Sequence, residues 1–236
     1  MPLLTLWSPK GGSGTSVFAA ACALVLARSS GARLVDLCGD QPAIFGLGAE
    51  PGTGVADWLE AGPGAPTDAL DRLAIEAAPG VALIPAGDPP AALSPRPEAE
   101  AGAALAVALR DGSRPTLVDA GTAQTPAARA LLEVSDVTLV VVRGCYLTLR
   151  RAVRHPALGR ASGLVVIEEP GRAIGAREIA DVLGRPVIAR VPAREAVARA
   201  VDAGVLAHRL PDVLARPAAE ALRAVGLLLD RKGAAA

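Results

Sequence analysis

Aromatic residues are scarce in this chain: two Trp, two Phe and one Tyr make up 2% of its 236 residues. Any core must therefore be aliphatic. With 51% hydrophobic residues there is enough material for one sizeable α/β domain, and residues 1–236 are expected to form a single one. Cysteine is almost as rare. Cys22, Cys38 and Cys145 lie far apart and form no CxxC pair, which speaks against a disulfide framework and against a structural zinc site. They read as reduced thiols of a cytoplasmic protein. An excess of either charge is missing too: 24 Lys+Arg balance 24 Asp+Glu, so any nucleic-acid or membrane contact must come from a local patch. The longest apolar run, Val17 to Ala27, is too short to span a bilayer. No basic leader precedes an apolar stretch at the N-terminus, so no signal peptide is expected. There is no G-x-S-x-G elbow, and His155 and His208 have no evident nucleophile, so a Ser or Cys hydrolase is disfavoured.

Lysine is the most informative scarcity. There are two, Lys10 and Lys232, in a chain whose other basic residues are arginine. A lysine kept at position 10 points to a site that needs a slim ammonium in place of a planar guanidinium.

The residues that are present alternate in kind. Leu3–Trp7, Arg33–Leu37, Val81–Ile84, Thr116–Val118, Val137–Val142, Leu164–Ile167 and Val187–Ala189 read as strands, several of them apolar throughout. Ser16–Arg28, Glu98–Arg110, Ala127–Glu133, Leu147–Arg154, Ala176–Leu183 and Ala193–Ala203 read as helices. A last helix is expected from about Arg216 to Leu229, with Pro217 in its first turn. The alternation predicts an α/β fold: a doubly wound, mostly parallel sheet with helices on both faces and ligands at the carboxyl ends of the strands. Val55–Leu59 reads as a short helical turn. The five prolines between Pro85 and Pro97 read as a stiff connection, and the residues after Lys232 as a frayed tail.

Ser8-Pro9-Lys10-Gly11-Gly12-Ser13-Gly14-Thr15-Ser16 falls between the first strand and the first helix. Glycines there let the backbone approach a phosphate and aim N–H groups at it, and the helix adds the positive end of its dipole. Ser16 is placed to offer its hydroxyl to Mg2+.

With those residues in register, the chain resembles the ParA/MinD superfamily of phosphate-loop proteins, whose deviant Walker A motif reads KGGxGK[ST]. The resemblance spans about residues 2–205 and implies nucleotide binding by Lys10, Gly11, Gly12, Ser13, Gly14, Thr15 and Ser16. It implies ATP or ADP with Mg2+ as cofactors, and a homodimer in which Lys10 reaches the partner's nucleotide. The family's second lysine is replaced by Thr15, which cannot neutralise phosphate charge. Leu34-Val35-Asp36-Leu37-Cys38 matches a strand ending in DxD, so Asp36 takes a catalytic position while Cys38 replaces the water-orienting aspartate. Asp40 is a candidate substitute, although a two-residue shift is large for in-line geometry. Asp119, ending Leu117-Val118-Asp119, matches the family's magnesium-supporting aspartate; read alone, it equally suits a turn cap. Pro192 matches the segment near the base pocket. Glu168 stands in the region of the adenine-reading asparagine, where it reads either as an acceptor for the adenine amino group or as a solvated loop charge.

The resemblance implies a positioning or partitioning protein with weak or no ATP hydrolysis. The alternatives are a nucleotide-free scaffold and a partition ATPase that binds DNA non-specifically. The Asp40–Gly48 and Gly54–Leu59 segments resemble CpaE/TadZ proteins, which localise pilus-assembly machinery. A protein cargo or polar-localisation partner is implied. Arg143, Arg150, Arg151, Arg154 and Arg160 read either as a DNA patch or as a solvated helix face. Leu222–Lys232 has too few basic residues and no aromatic anchor for membrane attachment, and is expected to dock on the core.

Overall fold

The computed structural model describes residues 2–88, 95–112 and 114–228. Strand β1 (Leu3–Trp7) leads into helix α1 (Thr15–Ala27), followed by β2 (Ala32–Asp36), α2 (Gln41–Phe45), α3 (Val55–Ala61) and α4 (Thr67–Leu73). A hairpin of β3 (Ile75–Ala78) and β4 (Val81–Ile84) precedes α5 (Pro95–Arg110), β5 (Thr116–Asp119), α6 (Pro126–Val134) and β6 (Val137–Arg143). After α7 (Tyr146–Arg154) and a 3-10 turn come β7 (Gly163–Glu168), α8 (Ala176–Leu183), β8 (Val187–Pro192), α9 (Glu195–Asp202) and α10 (Asp212–Ala224).

The eight strands order as β3-β4-β2-β5-β1-β6-β7-β8. All neighbours run parallel except β3 and β4. The order turns outward on both sides of β1, so the crevice for a ligand lies at its carboxyl end. That is where the glycine loop stands.

Side-chain alternation divides the core. Leu4, Leu6, Leu34, Leu117, Leu139 and Val141 face a layer that includes α1, α9 and α10. Leu3, Trp7, Val35, Val118, Val140 and Val142 face the opposite layer, contributed by α3 and by α5 to α8. Helix α1 is apolar almost all round, with Phe18 to Cys22 fully buried between the sheet and α10. The scarcity of aromatics is met by Ala and Leu packed at short range.

Several expectations need correction. Pro217 falls in the second turn of α10, because the helix starts at Asp212; it therefore has no N–H for the Val213 carbonyl. The proline-rich connection is partly helical, since α5 begins at Pro95 and takes Pro97 into its first turn. Residues 89–94 of that stretch, and the expected tail, lie outside the described residues. The β3–β4 hairpin was not expected. Ile75–Ala78 is short and carries Glu76, but the Pro79-Gly80 pair between the strands, with Gly80 at φ 78°, is a turn signal. Leu222 is fully buried and Leu227 and Leu228 pack on the core, in line with a docked C-terminal helix. No helix among the described residues is long and apolar enough to cross a membrane.

Candidate functional site

The glycine loop takes its shape from its own hydroxyls. The Ser8 hydroxyl donates to the Lys10 carbonyl at 2.7 Å and accepts from the Lys10 N–H at 3.2 Å. The Ser13 hydroxyl donates to the same carbonyl at 2.7 Å. Both serines are buried, so the Ser13 side chain holds the loop closed and only its backbone is available to a ligand. Gly14 caps α1 at φ 90°, a left-handed backbone that a side chain would strain. The first N–H groups of α1 have no partner within the helix and serve the loop's concave side.

That side opens into a cavity of about 900 Å³, lined by Lys10 to Val17 together with Cys38, Asp40, Thr122, Arg143 and residues 201–204. Thr15 is buried at its wall. The Lys10 ammonium turns back to the Gly11 carbonyl at 3.2 Å. A second recess of about 240 Å³ adjoins it and shares Gly14, Val17, Arg143, Val201 and Asp202. Its other walls, including Phe18, Ile167, Pro192 and Val197, are largely apolar, as a base needs. Pro192 is thus brought to the site. Glu168 lines neither space, and its carboxylate faces Arg190 at 3.8 Å.

The carboxylates sort by depth. Asp36 is fully buried and accepts from the N–H groups of Cys38, Gly39 and Gln41, each at 2.9 Å. It lies beneath the cavity and folds the turn that follows β2. That turn carries Asp40 back over the loop, where it accepts the Ser16 hydroxyl at 3.0 Å. The turn thus brings Asp40 beside Ser16, although it lies two residues beyond Cys38. Ser16 and Asp40 together present oxygen donors at the cavity mouth, a set suited to Mg2+.

Asp119 is also buried. It accepts from the Gly121 N–H at 3.1 Å and from the Gln41 amide at 2.7 Å. Burial raises its pKa, and the nearby Asp36 adds to the rise, against hydrogen bonds from Ser16, Gln41 and Cys38. The Cys38 sulfur lies 3.4 Å from Asp36 and 3.7 Å from Ser16. Although Cys38 is exposed as a residue, desolvation of its sulfur and the charges of Asp119 and Asp36 push its pKa upward, so it stands as a neutral thiol. Asp36, Cys38 and Asp119 offer ligand atoms within 4.8 Å of one another, but hydrogen bonds already occupy both oxygens of each carboxylate.

Three participants escaped the sequence reading. Gln41 is fully buried and ties Asp119 to the Ser16 carbonyl (3.0 Å) on α1, while its Oε1 has no protein donor. Arg143, counted with the surface arginines, stands at the junction of cavity and recess, held by Glu169 at 2.7 Å. Asp202 lines both spaces. For Arg143 the available signal was its place at the carboxyl end of a buried strand; nothing marked Gln41 or Asp202. The arginine cluster, read as either a DNA patch or a solvated helix face, divides accordingly. Arg160 pairs with Glu133, while Arg150, Arg151 and Arg154 line a separate groove on α7.

No protein-family model matches the chain, and no curated protein matches its sequence. Its fold has counterparts among solved structures. A ParA family ATPase from Chlorobium tepidum TLS superposes with TM-score 0.73 at 23% identity, over 92% of this chain and 95% of that one. The septum site-determining protein MinD with Mg-ADP from Pyrococcus horikoshii OT3 gives TM-score 0.72 at 16% identity, over 95% and 96%. A Cyanothece McdA–ATP complex gives 0.71 at 18%, over 98% of each chain. The fold is that of the ParA and MinD phosphate-loop ATPases.

Proposed function

We propose that this chain is a nucleotide-switched positioning or partitioning protein that binds ATP or ADP with Mg2+ and turns it over slowly or not at all. The observation that carries this reading is the pre-shaped glycine loop facing a cavity of about 900 Å³, with an apolar recess beside it for the base. Backbone N–H groups would hold the phosphates, Ser16 and Asp40 the magnesium ion, and Arg143 supplies a cation that Thr15 does not. Bound magnesium would neutralise phosphate charge. Asp119 and Gln41 hold the floor beneath it. The missing lysine at Thr15 and the neutral thiol of Cys38 each remove transition-state stabilisation, on the order of 10²-fold in rate per group.

In this reading a homodimer forms across the loop face, Lys10 serves the partner's nucleotide, and the cargo is a protein complex, with pilus-assembly machinery the class named by the Asp40–Gly48 segment. Among the solved structures of this fold are a MinC:MinD cell division protein complex from Aquifex aeolicus and a putative plasmid partition protein from Borrelia burgdorferi, which supports such a role here. The second reading, a scaffold without nucleotide, draws on the Lys10 ammonium folded onto its own loop. Titrating a fluorescent ATP analogue with Mg2+ separates the two. Saturable binding in the micromolar range, competed by ATP, is expected. Its absence at high micromolar concentration leaves the scaffold.

A further inference from the structure

Next to the candidate nucleotide site, and separate from it, lies a groove of about 670 Å³ between the start of α6 and helix α7. Arg129 comes from one wall; Arg150, Arg151 and Arg154 come from the other. None of the groove's lining residues is acidic. Several arginines elsewhere are paired with acids, among them Arg33 with Asp71, Arg110 with Asp136, Arg143 with Glu169 and Arg160 with Glu133. Among the described residues these four groove arginines form no ion pair with an acid. In a chain of zero formal net charge this is a local concentration of positive potential inside a concavity.

Its shape restricts the ligand. Guanidinium groups on two facing walls enclose an anion, whereas a duplex needs cations spread along a face. The volume lies within the range of small-molecule sites, roughly 300–1,000 Å³. Planar guanidiniums match phosphate oxygens two at a time. The groove also touches the nucleotide loop. Thr122 lines both spaces, and Pro9, just before Lys10, lines the groove. His155, which lines it, packs against Trp7 with centroids 4.2 Å apart and ring planes tilted by 34°, and Trp7 ends the strand that feeds the loop.

We infer that this groove is a second anion site, which takes a compact ligand bearing two or more phosphate groups and reports its presence to the nucleotide loop. The site goes beyond the proposed nucleotide binding and does not depend on it.

Inorganic tripolyphosphate is the probe, titrated calorimetrically at about 50 mM salt, where screening is modest. The titration uses the full chain carrying Arg143→Ala and Ser16→Ala, which weakens the nucleotide cavity as a competing site. Saturable binding is expected, accompanied by a change in tryptophan emission from Trp7. Adding Arg150→Ala and Arg154→Ala should weaken it about tenfold or more. These arginines are exposed, so the variants should keep the parent's melting temperature, and Arg150→Lys with Arg154→Lys should restore only part of the affinity. Three results overturn the inference: no saturable binding, affinity indifferent to the groove changes, or displacement of the probe by a duplex of about 20 base pairs whose own binding falls steeply with salt. The last result would make the groove a nucleic-acid face. Because the ATP-analogue titration reads the other cavity, failure of either proposal leaves the other standing.

Discussion

On the proposed reading, Thr15 and Cys38 are the two residues that limit turnover. Thr15 is buried where the loop needs a cation against phosphate charge. Thr15→Lys should tighten ATP-analogue binding by about tenfold, equal to ~1.4 kcal/mol, measured by the same titration. Cys38 sits beside two buried carboxylates, and a third carboxylate there would be repelled by both. Cys38→Asp should therefore lower the melting temperature without magnesium, increasingly as pH rises and the new group ionises. Magnesium with ATP should recover part of the loss if the oxygen donors of Ser16 and Asp40 bind the ion. Thermal melts across pH, with and without Mg-ATP, read both effects. The glycine loop was legible from the sequence because three glycines, a lysine and a hydroxyl pair share one short stretch between a strand and a helix. The hydrogen bonds of Asp36 were not, because sequence cannot say that three backbone N–H groups will claim its carboxylate.

At the scale of elements, two junctions hold the site together. Gly46 ends α2 at φ 70°, and a Cβ there would stand 2.0 Å from the Gly204 carbonyl oxygen. Gly46→Ala should destabilise the chain by roughly 1–3 kcal/mol from overpacking alone, seen in urea unfolding, and should also weaken nucleotide binding, because residues 201–204 line the cavity. The other junction is Asp136, which accepts from the Leu3 N–H at 2.9 Å and from Arg110 at 2.9 Å, tying β1, α5 and the entry to β6. Burial alone would raise its pKa, but the Leu3 and Arg110 bonds outweigh it and hold the carboxyl below its ordinary value. Its stabilisation is thus present above the usual carboxylate pKa of about 4 and is lost as pH falls through the depressed value. Asp136→Asn should lower the melting temperature at neutral pH, and the difference from the parent should shrink in acid. The strands were readable as apolar runs. The short helices α2 and α4 were not, since so few turns leave no hydrophobic period to detect.

For the whole molecule, a doubly wound, mostly parallel sheet with ligand space at the carboxyl ends of its strands follows from alternating strands and helices, which the sequence displays openly. Assembly does not follow from one chain's pattern. On the proposed reading, Mg-ATP should convert monomer to dimer in light scattering. Lys10→Ala should abolish that shift while leaving single-site nucleotide binding within a few-fold, because the ammonium acts on the partner's ligand. Loss of both properties together would place Lys10 in its own subunit's site.

The contact between Gly46 and Gly204 also has a mechanical meaning. No side chain stands between the two backbones, so nothing there can change rotamer and absorb a displacement. Helix α2 begins at the turn that carries Asp40 to Ser16 and ends against Gly204, beside Asp202 and the base recess. On the proposed reading it would act as a short strut: a push at the phosphate end, when the Ser16–Asp40 bond opens, would arrive at the base end with little lost on the way.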